Sequence, residues 1–324
     1  MKSAFYDQYG PPEVLSVRDL PPPQPGPQEV LIRQLASNVS PADCAARSAD
    51  PFIIRFFSGL LRPKARVPGE TIAGVVEAVG SGVSRFRPGA RVFGITVQSV
   101  GALAEYVAVP EDGAIVEMPD RLSYDEAGGL PYSFLTAMPF LRDEARLQPG
   151  QSILINGAAG SIGTVAVQLA HSMGAIVTAV CSTANVELVR ELGANRVIDR
   201  TVEDFTKARA AYDVIFDAVG KSSFLACRAA LKPGGIYLTM VPSLAILLPM
   251  LRGPGRDGKR GRLATTGLRP TADKAKDMEV LRAIIEEGKL RCVIGRTYRL
   301  AEIAEAHRFV ATGHKTGDVI IRIP

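Results

Sequence analysis

The sequence predicts an α/β protein in which a doubly wound parallel-sheet domain is inserted into a β-rich, barrel-like domain. Three observations predict it. Up to about residue 125 the apolar segments are short, Val-rich and closed off by Gly or Pro. From Ser152 onward, short apolar runs alternate with helical patterns, which implies crossover units and a parallel sheet. The tail carries one more helix and a last strand that return to the first domain. The boundaries are set at 1–125 and 269–324 for the barrel-like part and at 126–268 for the parallel sheet.

The chain opens with Pro21, Pro22, Pro23, Pro25 and Pro27, whose fixed φ and missing N–H read as extended chain and turns. Val30–Leu35, Gly74–Val79, Ala90–Phe93 and Ala104–Val109 read as short strands, with a turn at Pro88-Gly89. Helices at Ser123–Leu141 and Gly160–Ser172 flank a buried strand, Ser152–Asn156. Strands follow at Ala175–Cys181, Arg196–Ile198, Tyr212–Phe216 and Gly235–Met240, with helices at Asn185–Leu192 and Ser222–Leu231. Leu263–Leu268 supplies a sixth strand. In Asp273–Glu287, Met278, Leu281, Ile284 and Ile285 share one helical face. A helix near Ala301–Phe309 and a strand at Val319–Ile323 close the chain.

Composition excludes several classes. The 324 residues allow two ordinary domains, and 47% hydrophobic residues fill two cores. A formal charge of +5 suits anionic ligands without calling for nucleic acid. Cys44, Cys181, Cys227 and Cys292 are widely spaced, which reads as reduced thiols rather than a disulfide framework. The longest apolar run, Leu244–Leu251, is interrupted by Pro249 and falls far short of the roughly 20 residues of a membrane span. With no leader visible in Met1–Gly10, a cytoplasmic location is expected.

The sharpest motif is Ile153-Leu154-Ile155-Asn156-Gly157-Ala158-Ala159-Gly160-Ser161-Ile162-Gly163, a strand running into a Gly-rich turn and a helix. Gly160 lets the backbone approach a pyrophosphate, Gly163 lets helix and strand pack closely, and the helix N-terminus offers N–H groups. Ala158 stands where the usual fingerprint has Gly. The strand before and the strand–helix unit after point to a Rossmann-type dinucleotide site with Ala158, Gly160, Ser161, Ile162 and Gly163 as its phosphate cradle, the other reading being a Gly-rich turn in an empty α/β domain. The next strand ends at Ser182-Thr183 without the acid that holds a ribose 2′-hydroxyl, the first acid being Glu187. Ser182 and Thr183 then serve either a 2′-phosphate, which favours NADPH, or as ordinary helix caps.

Several blocks together resemble the zinc-free medium-chain dehydrogenases/reductases of the quinone oxidoreductase type. They are Val67–Gly80, Phe86–Gly94, Gly101–Tyr106, Leu135-Thr136-Ala137, the phosphate loop and Glu302–Phe309, and they cover nearly the whole chain in the family's order. The resemblance implies a GroES-like barrel domain built from both chain ends, holding an inserted Rossmann domain. It also implies nicotinamide contacts from Asn38–Asp43 and Thr136, so Ser40, Asp43 and Thr136 are candidate catalytic residues. Thr136 equally suits a helix-interior Thr bonding its own backbone. Arg200 stands where relatives often have Tyr and is either a phosphate contact or a solvated strand-end Arg. Val241, just past a strand end, is set with the cofactor residues. In the zinc branch a Cys ligand lies in the segment matching Asn38–Asp43 and a Gly-His-Glu follows. Here Ser40 and Gly69-Glu70-Thr71 occupy those places, Phe93–Tyr106 has no Cys, and His171, His307 and His314 fall elsewhere, so no metal site is assembled.

Without a metal, simple alcohol oxidation lacks its electrophile, whereas a quinone, an enone or an enoyl thioester delocalises the incoming charge on its own carbonyl. The expected activity is hydride transfer from NADPH to such an acceptor. Tyr132, with Ser133 beside it, is a candidate proton donor by position, and packing is the other reading of Tyr132. An enoyl-thioester reductase of a biosynthetic pathway is the alternative within this class. A nucleotide-binding regulator or RNA-binding protein without turnover is the alternative outside it. A homodimer is expected through Arg262–Leu268 as an exposed edge strand. Arg252–Arg262, with five basic residues and one acid, reads as a mobile loop that either favours an anionic substrate or merely aids solubility.

Overall fold

A computed structural model describes residues 1–96 and 101–324; residues 97–100, inside the Cys-free stretch Phe93–Tyr106, lie outside the described residues. The chain divides into two compact units, Met1–Tyr132 with Pro270–Pro324, and Ser133–Arg269. The first segment carries β1 (Lys2–Phe5), β2 (Ser16–Asp19), β3 (Glu29–Asn38), α1 (Pro41–Ser48), α2 (Ile54–Ser58), β4 (Thr71–Val79), β5 (Arg91–Ile95), β6 (Tyr106–Pro110) and β7 (Ile115–Glu117). Helix α3 (Tyr124–Pro139) runs across the first division. The middle holds β8 (Ser152–Asn156), α4 (Ser161–Ser172), β9 (Ile176–Cys181), α5 (Val186–Glu191), β10 (Arg196–Asp199), β11 (Tyr212–Asp217), α6 (Phe224–Cys227), β12 (Leu231–Thr239), α7 (Leu244–Arg252) and β13 (Arg260–Leu263). The return segment adds α8 (Thr271–Glu286), β14 (Ile294–Arg299), α9 (Ile303–Ala311) and β15 (Asp318–Arg322).

In the first unit a mostly antiparallel sheet runs β14-β15-β3-β4-β5-β7, with β6 also on β3. β3 is its spine. Val30, Ile32, Gln34 and Ala36 are buried and alternate with half-buried neighbours, the period of a strand with one face on a core. Buried Gln34 is satisfied: its amide donates to Ala102 O at 2.9 Å and accepts from Ala73 N at 3.1 Å, and the β3–β4 register shifts at that point. Ile32, Ile72, Val76, Phe86, Val92 and Ile115 form one apolar cluster, and Tyr6, Leu15, Val39, Leu300, Ile303 and Ile321 another. β15 pairs antiparallel with β3, Ile320 opposite Asn38, which ties the C-terminal segment into this sheet. β14 is an exposed edge strand with Arg296 and Arg299, so no apolar alternation announced it.

The second unit is a six-stranded sheet in the order β10-β9-β8-β11-β12-β13, every neighbouring pair parallel. Ile153, Leu154 and Ile155 of β8 are all fully buried, as expected for a strand covered on both faces. Sequence order runs outward from β8 in one direction and from β11 in the other, so the chain reverses between them. Ligands bind at such a reversal, beyond the carboxyl ends of the strands.

Three readings of this unit are corrected. The sixth strand is Arg260–Leu263 rather than Leu263–Leu268, and Thr266–Leu268 is a 3-10 turn. Its buried position is Gly261, where a Cβ would meet Ile246 and the Phe224 ring at 2.9–3.0 Å, so the strand carries no apolar signal. The expected mobile loop therefore shrinks: Arg252 ends α7 and Arg260–Arg262 belong to β13. Lys259 donates to Arg228 O at 3.0 Å and Arg262 pairs with Glu144 at 2.8 Å, so its basic residues are partly engaged. The helix expected over Ser222–Leu231 is only Phe224–Cys227, because the carbonyls of Ala229 and Ala230 accept from residues Ala210, Ala211 and Tyr212.

Candidate active site

The phosphate loop is built as its sequence requires. β8 ends at Asn156, Gly157 turns the chain at φ +79°, and α4 starts at Ser161 with Gly160 as its N-cap. A Cβ at Gly163 would stand 2.1 Å from Gly157 O, so only glycine lets α4 seat on the turn. Gly160 is different. Its φ of −75° suits any residue, and the nearest heavy atom to a Cβ there is Gly157 O at 3.5 Å. Nothing inside the protein demands glycine at 160. Gly160 also leaves the first turn of α4 without a side-chain cap, so its N-terminal dipole faces outward. Ala158, where the fingerprint has glycine, is fully buried, and Ser161 and Ile162 are nearly so.

Around this loop the neighbouring strand ends interlock. A Cβ on Gly157 would meet Val219 at 2.4 Å, and one on Gly220 would meet Val241 at 2.5 Å. Val219 and Val241 stay about 40% exposed, at 42% and 40%, and give the crevice an apolar wall. Asp217, not singled out from sequence, organises the β11 end. Its fully buried carboxylate accepts from Asn156 Nδ2, the N–H groups of Val219, Gly220 and Ser222, and Tyr237 Oη, at 2.8–3.2 Å. The sequence signal was an acid closing an apolar strand just before Ala218-Val219-Gly220.

At the end of β9, Ser182 precedes a 3-10 turn, Thr183–Asn185, but its side chain does not cap it; instead Asn185 Nδ2 donates to Ser182 Oγ at 3.1 Å. Arg200 N donates to Cys181 O at 2.9 Å, which brings Arg200 beside Ser182 with its side chain exposed. An acid does reach this place. Asp199 closes β10 and accepts from Thr201 N and Oγ1 at 2.9 and 2.7 Å; Thr183 and Thr201 hold its carboxyl below the usual range. A search along the chain after β9 missed it because the adjacent strand supplies it.

In the first unit Ser40 and Asp43 form a capping box at the start of α1. Ser40 Oγ donates to Asp43 Oδ2 at 2.6 Å, Ser40 N to the same oxygen at 2.8 Å, and Asp43 N to Ser40 Oγ at 3.2 Å. Gly69 N donates to Asp43 Oδ1 at 3.2 Å. Burial raises the Asp43 pKa, opposed by these bonds. The half-buried Tyr132 is hydrogen-bonded to Ser40, and burial followed by the charge of Glu70 pushes its hydroxyl up. Thr136 lies one turn further along α3 and is 8% exposed, while Ser133 is fully buried. The second carboxylate at this end, Glu70, came to notice in the sequence only for where it stands.

These donors do not fit a zinc ion. Ser40 and both Asp43 oxygens are engaged with each other and with Gly69. Among the described residues no three His, Cys, Asp or Glu side chains converge.

Two family models match the chain: the alcohol dehydrogenase GroES-like domain at residues 26–120 and the zinc-binding dehydrogenase at residues 192–321. A quinone oxidoreductase of Pseudomonas aeruginosa is 31% identical over 99% of both chains. The chloroplastic NADPH-dependent alkenal/one oxidoreductase of Arabidopsis thaliana is 31% identical over 99% of this chain and 79% of its own. The solved quinone oxidoreductase of Coxiella burnetii superposes with a TM-score of 0.87 at 28% identity, over 100% of this chain and 99% of its own.

Proposed function

This chain belongs to the quinone oxidoreductase-like, zinc-free medium-chain dehydrogenases/reductases, and on that premise we propose that it uses NADPH to reduce a quinone or the activated C=C of an enone or enoyl compound. The observation that carries the reading is Gly160: a cradle with room for a Cβ, kept as glycine at a helix N-terminus beyond β8. Bound NADPH supplies the hydride. Ala158, Gly160, Ser161, Ile162 and Gly163 hold its pyrophosphate, and Val241 lines the apolar wall. Ser182, Thr183 and Arg200 take the 2′-phosphate. Asp199 beside them is held ionised by the hydroxyl and amide donors of Thr183 and Thr201.

On the catalytic side Thr136 orients the nicotinamide and Tyr132, Ser40 and Asp43 act on the acceptor. An acceptor that carries its own carbonyl needs position and a hydrogen-bond donor rather than a Lewis acid. The protein works as a homodimer paired along the exposed edge β13, in the cytoplasm. Among the described residues no helix is long and apolar enough to cross a membrane. The test is a screen that follows NADPH absorbance against quinones, enones and enoyl thioesters. Turnover with at least one acceptor supports the reading, and NADPH binding with no turnover on any of them supports a non-catalytic nucleotide-binding protein instead.

A further inference from the structure

We propose that residues 51–66 of the first unit form a docking surface for an anionic lipid bilayer, with α2 resting on the membrane surface. This goes beyond the reductase reading and stands independently of it. Phe52, Ile53, Phe56, Leu60 and Leu61 lie in and around α2 and are 56–85% exposed. A single exposed apolar residue is ordinary, but so many large ones in one short stretch mark an interaction surface. The same stretch carries Arg55, Arg62, Lys64 and Arg66 and no acid, although Asp50 directly precedes it. Arg62, Lys64 and Arg66 are exposed. Among the described residues none of the four cations stands in an ion pair.

The segment is held in shape from beneath. Tyr9 Oη donates to Gly59 O at 2.6 Å, Lys64 N to Ser58 O at 2.8 Å and Tyr6 N to Arg66 O at 3.0 Å. The Arg55 guanidinium lies 4.9 Å from the Tyr9 ring centroid and 5.2 Å from that of Phe52. The Phe52 and Phe56 rings meet edge to face at 6.2 Å.

Three observations choose a lipid surface as the occupant. The N–H groups of Ile54, Arg55, Phe56 and Gly59 donate to carbonyls of Pro51, Phe52, Ile53 and Arg55 at 2.9–3.2 Å. These backbone donors are satisfied within the segment, which suits contact with acyl chains that offer no hydrogen bonds. Arg62, Lys64 and Arg66 follow directly on Leu60 and Leu61. Apolar tips among acyl chains with cations at the headgroup phosphates are what an interfacial segment needs. A second copy docking across a two-fold axis would instead set this patch against itself and oppose like charges. Among the described residues no helix is long and apolar enough to cross a membrane, and the contact proposed is peripheral.

The test uses the full chain and sedimentation with vesicles of phosphatidylcholine alone, or of phosphatidylcholine and phosphatidylglycerol in equal parts. Wild type should sediment with the mixed vesicles, far less with phosphatidylcholine, and should be released as salt rises. Arg62→Gln, Lys64→Gln and Arg66→Gln together should weaken binding about 100-fold, each cation beside such a surface being worth roughly fivefold. Leu60→Ser with Leu61→Ser should weaken it at least about tenfold with every charge in place. The chain is basic overall, so Lys207→Gln, Arg209→Gln and Lys221→Gln together are the control. They remove as much charge from exposed positions of the second unit and should leave binding within about twofold. Thermal unfolding confirms that each variant folds. The proposal is overturned if wild type ignores the mixed vesicles, as it would if the patch met an acidic protein or a substrate. Equal binding to both vesicle types, equal losses in the two charge variants, or a paired Leu variant that binds like wild type would also overturn it.

Discussion

Replacing Gly160 by Ala separates a glycine required by a ligand from one required by the fold. At 160 the backbone sits at φ −75°, ψ 171°, and a Cβ has no heavy atom nearer than 3.5 Å, so the substituted protein folds. Ala is a poorer N-cap than Gly by less than about 1 kcal/mol, worth roughly 2–4 °C in Tm for a unit of this size. Gly163→Ala is the control: its Cβ would lie 2.1 Å from Gly157 O, and α4 must shift. Nucleotide binding should respond the other way round. On the proposed reading a Cβ at 160 would stand where a phosphate oxygen meets the N–H groups of the first turn, and charge-assisted bonds of that kind contribute about 1.5–3 kcal/mol each. Loss of one to two of them predicts NADPH affinity about 100-fold weaker in Gly160→Ala at nearly unchanged Tm, and none measurable in Gly160→Val. The assay is NADPH fluorescence titration beside thermal unfolding. Gly160→Ala that binds NADPH as tightly as wild type would refute the cradle.

Three other outcomes follow from the same structure. Arg200→Ala should weaken NADPH about tenfold and leave NADH unchanged, since one charged contact near solvent is worth about 1.4 kcal/mol; equal losses for both nucleotides would count against the 2′-phosphate assignment. His307 is fully buried, and burial and Arg47 bring its pKa from 6.5 down to about 3. The unfolded chain therefore takes up a proton that the fold refuses, so this contribution is complete above pH 6.5 and is lost as pH falls toward 3, by about 1.4 kcal/mol per unit. Urea unfolding should show about 2 kcal/mol lost by about pH 5, and His307→Leu should flatten that slope; an unchanged slope would contradict it. Light scattering at micromolar concentration should report a dimer, and a monomer would remove the case for pairing along β13.

What the sequence disclosed depended on which physical signal each element carries. β8 was legible to the residue, because a strand buried on both faces is an unbroken apolar run. The turn from β8 into α4 was legible because Gly157, at φ +79°, and Gly163, packed on Gly157 O, do backbone work. β13 was misplaced because its one buried side is a glycine, and β14 was missed because its side chains are nearly all exposed. α7 forms a helix through Pro249 with Ile246 buried, while Leu244 and Leu251 are 77% and 85% exposed. A run read only by its apolar content does not distinguish that helix from a core strand. The partners within the candidate site were harder still. Ser40, Asp43 and Tyr132 could be named from position; the Ser40–Asp43 bonds are a local capping box, but the bond from Ser40 to Tyr132 joins residues far apart in the chain. Asp199 and Asp217 reach the carboxyl ends of β9 and β8 through strand adjacency, which no linear spacing encodes.

The central claim is hydride transfer from the nicotinamide to a carbonyl-activated acceptor, and isotope tracing tests it most directly. The enzyme is incubated with an enone and NADPH deuterated at the transferred C4 position, and the product is examined by mass spectrometry and NMR. The account predicts one deuterium per product molecule, on the β-carbon, in ordinary water and after chelator treatment. Product without deuterium, or activity that disappears with chelation, would contradict it.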